Sequence, residues 1–426
     1  MIIRHLPIRV SIAVTVVAIA LAACGSSDSA SSTSSPTGVT AGNTAGAANA
    51  GRAGNAANAS LAPVTIGLIN QQGAEVGYPD LTDGATVAVT YVNAELGGIG
   101  GHPLKLATCF TDGTPAKGQS CAQQFLNDSS INMVSTGTLS AGDGPIWTTL
   151  AGKKPIIGGF PATQSAFNAS DAYFFASGSP GVLSGMASFT LKKVPQAKKV
   201  AAVYVDLPSL KSAIEGLIKP RFDAAGVSLS EVPIGITATD AVAPLTAAGA
   251  DKADVVMVLG AGSTCIQVAN ALQQLNVNKP VVGVGNCQGP DVRKAAASAI
   301  DGWYIVQVGA DPADTANADV RDTLAAFDRY GKDKNSGAFS VPEFGQVVAI
   351  AKILQGISYD ALSADTIRAA VKAFRGPVPV VAPQVQCGSI TGFPSLCDAL
   401  VRVYQVQGKS VVDATGGQYL NGLARD

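Results

Sequence analysis

Few residues here have the types and spacing that bond-breaking chemistry requires. Of the two histidines, His5 lies near the start and His102 stands between Gly101 and Pro103, in a turn ahead of an apolar run. A serine–histidine–acid triad would have to rest on His102, at the wrong end of a strand. Gly260-Ala261-Gly262-Ser263-Thr264-Cys265 follows an apolar run and opens a helical pattern, like a dinucleotide-binding loop. Cys265 replaces the third glycine and no acid follows at about twenty residues. No Gly-Lys-Ser/Thr phosphate loop is present, and the seven cysteines include no Cys-x-x-Cys pair. With one histidine beyond the leader, no metal site is expected. The chain reads as a non-enzyme without cofactor.

Charge agrees. The 29 Lys and Arg against 30 Asp and Glu give a net charge of -1, so nothing steers nucleic acid to this chain. Hydrophobic residues make up 47% of the 426, enough for a large core in more than one domain.

The beginning reads as an export leader. Arg4 and Arg9 precede the apolar run Val10 to Ala20, which is too short for a permanent span. Leu21-Ala22-Ala23-Cys24-Gly25 resembles the bacterial lipobox, which implies that residues 1–24 are a lipoprotein signal and that Cys24 carries the lipid. Residues 25–61 are Ser, Thr, Gly, Ala and Asn with almost no bulky side chains. Such a segment cannot offset its ordering entropy and is expected as a disordered tether spanning roughly 30–37 Å.

From Leu61 onward strand and helix patterns alternate. Val64 to Ile69, Pro103 to Phe110, Ile131 to Ser135 and Pro155 to Gly159 read as strands, with helices Thr82–Leu96, Pro115–Leu126 and Ile146–Ala151 between them. The pattern restarts with strands Lys199–Val205, Val227–Val232, Asp254–Leu259 and Val281–Val284, separated by helices Ser209–Ala225, Ala243–Ala248 and Cys265–Leu275. Short apolar strands alternating with helices predict parallel sheets covered on both faces, and two sets predict two sheets.

Apart from Cys24, the cysteines are Cys109, Cys121, Cys265, Cys287, Cys387 and Cys397. Fifteen pairings are possible in principle. The strand order favours sequential pairing, Cys109–Cys121, Cys265–Cys287 and Cys387–Cys397, each worth about 2–3 kcal/mol in the chain-entropy model.

In order along the chain, several stretches resemble the branched-chain amino-acid type of ABC transporter substrate-binding protein, the type I periplasmic binding fold. They are Val64–Asn70, Gly77-Tyr78, Gly97-Gly98-Ile99-Gly100-Gly101-His102-Pro103-Leu104, Gly137-Thr138-Leu139-Ser140, Pro155-Ile156-Ile157-Gly158 and Asp301-Gly302-Trp303-Tyr304. The resemblance, spanning Ala62 to Tyr404, implies an α/β fold of two doubly wound parallel-sheet lobes joined by three hinge crossings, near residues 180, 308 and 376. Lobe I would then comprise 62–180 and 309–376, lobe II 181–308 and 377–426, with a ligand cleft between them. It also implies an extracytoplasmic, lipid-anchored monomer that captures a small polar or carboxylate-bearing solute for an ABC permease. A membrane-anchored sensor and a structural surface lipoprotein are the alternatives.

In open parallel sheets ligands bind beyond the carboxyl ends of strands. That rule nominates loops 71–79, 137–144, 159–163, 206–210, 261–265 and 286–289, and with them Phe160, Asp206, Gly262 and Asn286. By resemblance, Leu139, Ser140 and Thr163 would meet a ligand carboxylate and Tyr78 would wall the pocket. On the residues alone, Ser140 and Thr163 could equally cap helices, and Tyr78 could be wall packing. The second half departs from the amino-acid pattern: Leu210 and Ala261-Gly262 stand where tyrosines are expected, and Gly285 where an acid would hold an ammonium. Glu75, Asp143 or Glu343 could supply a compensating charge.

Overall fold

Among the described residues thirteen strands build two sheets. The computed structural model of the chain describes residues 56–73, 77–332, 334, 336–337 and 339–424. The leader, Cys24 and Glu75 lie outside the described residues. Strands β1 (Val64–Gln71), β2 (Leu104–Thr111), β3 (Ile131–Thr136), β4 (Ile156–Gly158) and β5 (Ala172–Phe174) pair in parallel in the order β2-β1-β3-β4-β5. The central β1 is buried along its length. Its Ile66 and Leu68 enter one core and Ile69 another, as expected of a strand covered on both faces.

The second sheet contains β6 (Lys199–Val205), β7 (Ser228–Ile234), β8 (Val255–Leu259), β9 (Val281–Val284), β10 (Tyr304–Gln307), β11 (Leu400–Gln407) and β12 (Ser410–Asp413). Their order is β12-β11-β10-β9-β8-β6-β7, with β13 (Leu420–Asn421) pairing β11. β6 to β10 are parallel, whereas β11 and β12 join antiparallel. The result is the expected pair of α/β lobes, with an antiparallel extension that the strand–helix alternation did not announce.

After β10 the chain returns to the first sheet. There helix Ser340–Gln355 packs on helix Pro79–Glu95, so closely that a Cβ on Gly84 would overlap the Ser340 carbonyl. Among the described residues no helix is long and apolar enough to cross a membrane.

Three expectations need correction. The helix expected over Ser209–Ala225 is broken into Pro208–Ala213, a π-helical stretch Ile214–Ile218 and Lys219–Ala224. Pro220 has no N–H to continue the regular ladder, and the wider turn keeps Ile214 and Ile218 buried. The tether does not reach residue 61 as free chain. Ala57 N–H donates to Asn93 O (2.7 Å) and Asn58 N–H to Gly101 O (2.8 Å).

The third crossing, expected near 376, falls close to Leu400. Phe174 N–H donates to Ser395 O, Cys397 N–H donates to Phe174 O, and Leu396 is buried in the core of the first sheet. Apolar Leu396 pairs with Phe174 of β5, and the Cys387–Cys397 bridge closes the loop that presents it, before the chain enters β11. The first and third crossings touch, Ser177 Oγ donating to Leu400 O (2.8 Å), and just past the second Ala310 N–H donates to Val380 O (2.6 Å) in the segment that leads to the third.

All three disulfides pair sequentially, Cys109–Cys121, Cys265–Cys287 and Cys387–Cys397.

Candidate functional site

Each sheet reverses its direction of growth at one point. In the first, β2 and β3 flank β1; in the second, β7 and β8 flank β6. At such a switch point the loops leaving two neighbouring strands diverge and open a crevice at their carboxyl ends.

At the first switch point Gln71 ends β1 and Ser140 follows β3. Ser140 N–H and Ser140 Oγ both donate to Gln71 Oε1, at 2.9 and 3.1 Å. Tyr78 joins this pair through a hydrogen bond between its hydroxyl and the Ser140 side chain, while burial pushes the phenol's pKa up. Tyr78 is fixed by its own backbone: its N–H donates to Gln71 O (2.8 Å) and its carbonyl accepts from Asn70 Nδ2 (2.7 Å). Phe339 stands edge-on to Tyr78 (5.7 Å between ring centres) and to Phe160 (6.1 Å). All three rings are half-buried. Tyr78 thus bonds Ser140, and Phe160 is linked to Tyr78 through Phe339. Phe339 was missed, because it comes from the returning segment some two hundred residues downstream; its signal was an aromatic residue just ahead of an apolar helix.

Leu139 is buried and packs into the core of its own lobe, so only its backbone faces the loop. Thr163 is also turned inward. Its oxygen caps helix Gln164–Phe167 by accepting Ala166 N–H (3.1 Å), and its hydroxyl donates to Asp143 Oδ2. Asp143 further accepts Ser165 Oγ and Trp147 Nε1, each at 2.7 Å. The carboxylate offered by sequence as a charge partner therefore organises the loop. Glu343 sits behind Gly159, where a Cβ would come 2.7 Å from Glu343 Oε2. Burial pushes its carboxyl up to about 8. Gln346 Nε2 donates to it at 3.4 Å.

In the second lobe Asp206 is exposed at the end of β6, and Gly262 opens helix Gly262–Gln274. Asn286 lies in the turn Gly285–Gln288 after β9, with its carbonyl 3.7 Å from where a Gly262 Cβ would stand. The Cys265–Cys287 bridge ties these two loops together. The space beside Gly285 is taken by Gln307, whose Oε1 would lie 3.3 Å from a Cβ there. Among the described residues no group of His, Cys, Asp and Glu could hold a metal ion.

Solved structures share this architecture. The fatty acid ABC transporter substrate-binding protein from Thermomonospora curvata matches with a TM-score of 0.70 at 14% identity, covering 86% of this chain and 94% of its own. A branched chain amino acid ABC transporter protein from Thermus thermophilus with bound valine gives 0.70 at 14%, covering 85% and 97%. An R. palustris solute binding protein in complex with 4-hydroxybenzoate gives 0.67 at 18%, covering 84% and 96%. At these identities the likeness establishes the fold. No curated protein matches the sequence. A family model described as periplasmic binding protein matches residues 63–409. The chain belongs to the periplasmic binding protein family and is a solute-binding receptor, not an enzyme.

Proposed function

We propose that the chain captures a small polar solute outside the cytoplasm and delivers it to the permease of an ABC importer, as a monomer held to the membrane by lipid on Cys24. The observation that carries this reading is the bonding of Tyr78, Ser140 and Gln71 at the first switch point, where open α/β sheets take ligands, with Phe339 and Phe160 extending the wall. That neighbours of the same fold are described as ABC transporter substrate-binding proteins supports the importer role. The solute would lie between these loops and those bearing Asp206, Gly262 and Asn286.

Native mass spectrometry of the protein purified from its own cells tests the capture role. A single co-purifying small molecule is expected, and deletion of the gene should abolish uptake of that molecule. Uptake that persists undiminished would sink the importer assignment.

A further inference from the structure

We propose that the cleft selects an uncharged solute built around a ring, with one polar group directed at Tyr78 and Ser140. The inference rests on the receptor reading above and names the class of solute.

The apolar half of the site is the ring cluster. Tyr78, Phe160 and Phe339 arrive from three separate segments and meet edge-on, all half-buried at the ends of β1 and β4. Aromatic pairs contribute beyond the area they bury, because the edge of one ring is attracted to the face of another. A flat ring fits such a wall better than a branched aliphatic chain of equal area.

The polar half concerns charge. A carboxylate taken out of water needs charge-assisted donors. The two hydroxyls placed to supply them are already committed. Ser140 N–H and O–H converge on Gln71 Oε1, and Thr163 gives its proton to Asp143. The six loops at the strand ends contain no Lys or Arg, and Arg293, which bonds Gln288 at the end of one of them, is already paired with Asp311. An ammonium fares no better. Asp143 accepts from Trp147, Thr163 and Ser165. Glu343 is 2% exposed behind Gly159. Asp206 stands exposed on the opposite lobe, where an ion pair is worth little. What the site offers is the remaining lone pairs of the Tyr78 and Ser140 hydroxyls, which suit the N–H or O–H of an amide, an alcohol or a phenol.

Four probes of matched shape separate the possibilities: benzamide, benzoate, benzylamine and isobutyramide, titrated calorimetrically into the full chain in detergent. Benzamide should bind at least about tenfold more tightly than the two charged ring compounds and than isobutyramide. Phe339→Leu, which keeps an apolar side chain, should weaken benzamide by about tenfold with little change in melting temperature. Tightest binding of benzoate or benzylamine would overturn the absence of charge, and equal binding of isobutyramide would overturn the ring. Silence of all four probes also overturns the inference. A charged or aliphatic solute carried by the protein from its own cells would do the same while leaving the receptor reading intact; only an empty protein whose deletion leaves uptake unchanged sinks both.

Discussion

Ser140 and Thr163 each place a hydroxyl just after a strand, and their surroundings separate their roles. Thr163 closes the first turn of a helix and binds Asp143, both inside its own lobe. Thr163→Ala should lower the melting temperature of the ligand-free protein, by an amount corresponding to about 1–2 kcal/mol, and leave solute affinity nearly unchanged. Ser140 is half-exposed beside Tyr78. Ser140→Ala should weaken binding of the co-purifying solute about tenfold, read by calorimetry, with a smaller effect on melting. The opposite pattern at either position would reverse the assignment. Glu343 makes a second residue-level prediction. Its carboxyl is raised from 4.5 to about 8 by burial, so between those values the unfolded chain releases a proton that the folded chain retains. Stability must therefore fall as pH rises through that window. Asp398, raised to about 7, and Asp80 and Asp311, each raised to about 6, act in the same direction. The melting temperature should decline from pH 5 to pH 8, and Glu343→Gln should flatten the upper part of the decline. A slope that Glu343→Gln leaves unaltered would refute the assignment.

Among the elements, bridges and close packing make the sharpest tests. Cys265–Cys287 closes a separation of 22 residues and joins two loops of the second lobe. Replacing both with Ser should cost about 3 kcal/mol of stability, measured by denaturant titration. Gly84→Ala should also destabilise, since the added methyl would press helix Pro79–Glu95 away from the Ser340 carbonyl. A melting temperature within a degree or so of the parent would contradict that contact.

The same scale shows what the sequence made legible. Strands such as Val255–Leu259 announce themselves because they are apolar throughout and end in glycine. The Cys265–Cys287 pair follows once its two neighbouring parallel strands are recognised, Cys109–Cys121 from a strand and the helix after it, and Cys387–Cys397 from the single loop they flank. The π-helical turn at Ile214–Ile218 was hidden, because a helix that opens around Pro220 keeps nearly the same apolar spacing as one that does not. The late third crossing was hidden too. Its packing on Phe174 is a contact across more than two hundred residues, with no local periodicity to betray it. Phe339 was lost for the same reason, whereas Tyr78 and Ser140 lie directly after strands where simple topology points.

For the whole molecule, the first test concerns place. Cys24→Ala should move the protein from the membrane fraction to the soluble fraction, and retention at the membrane would mean that something other than a lipid on Cys24 holds it.

The three crossings have a mechanical consequence. The first and third are joined by the Ser177–Leu400 hydrogen bond with Phe174–Ser395 and Phe174–Cys397 beside it, and Ala310–Val380 ties the foot of the second to the segment that leads into the third. Separate strings would let two bodies twist, slide and splay independently. A laminated strap bends readily about one axis and resists torsion. The lobes should therefore open as the covers of a book do, along a single soft coordinate, so that the entropy surrendered on closing over a solute is that of one angle rather than several.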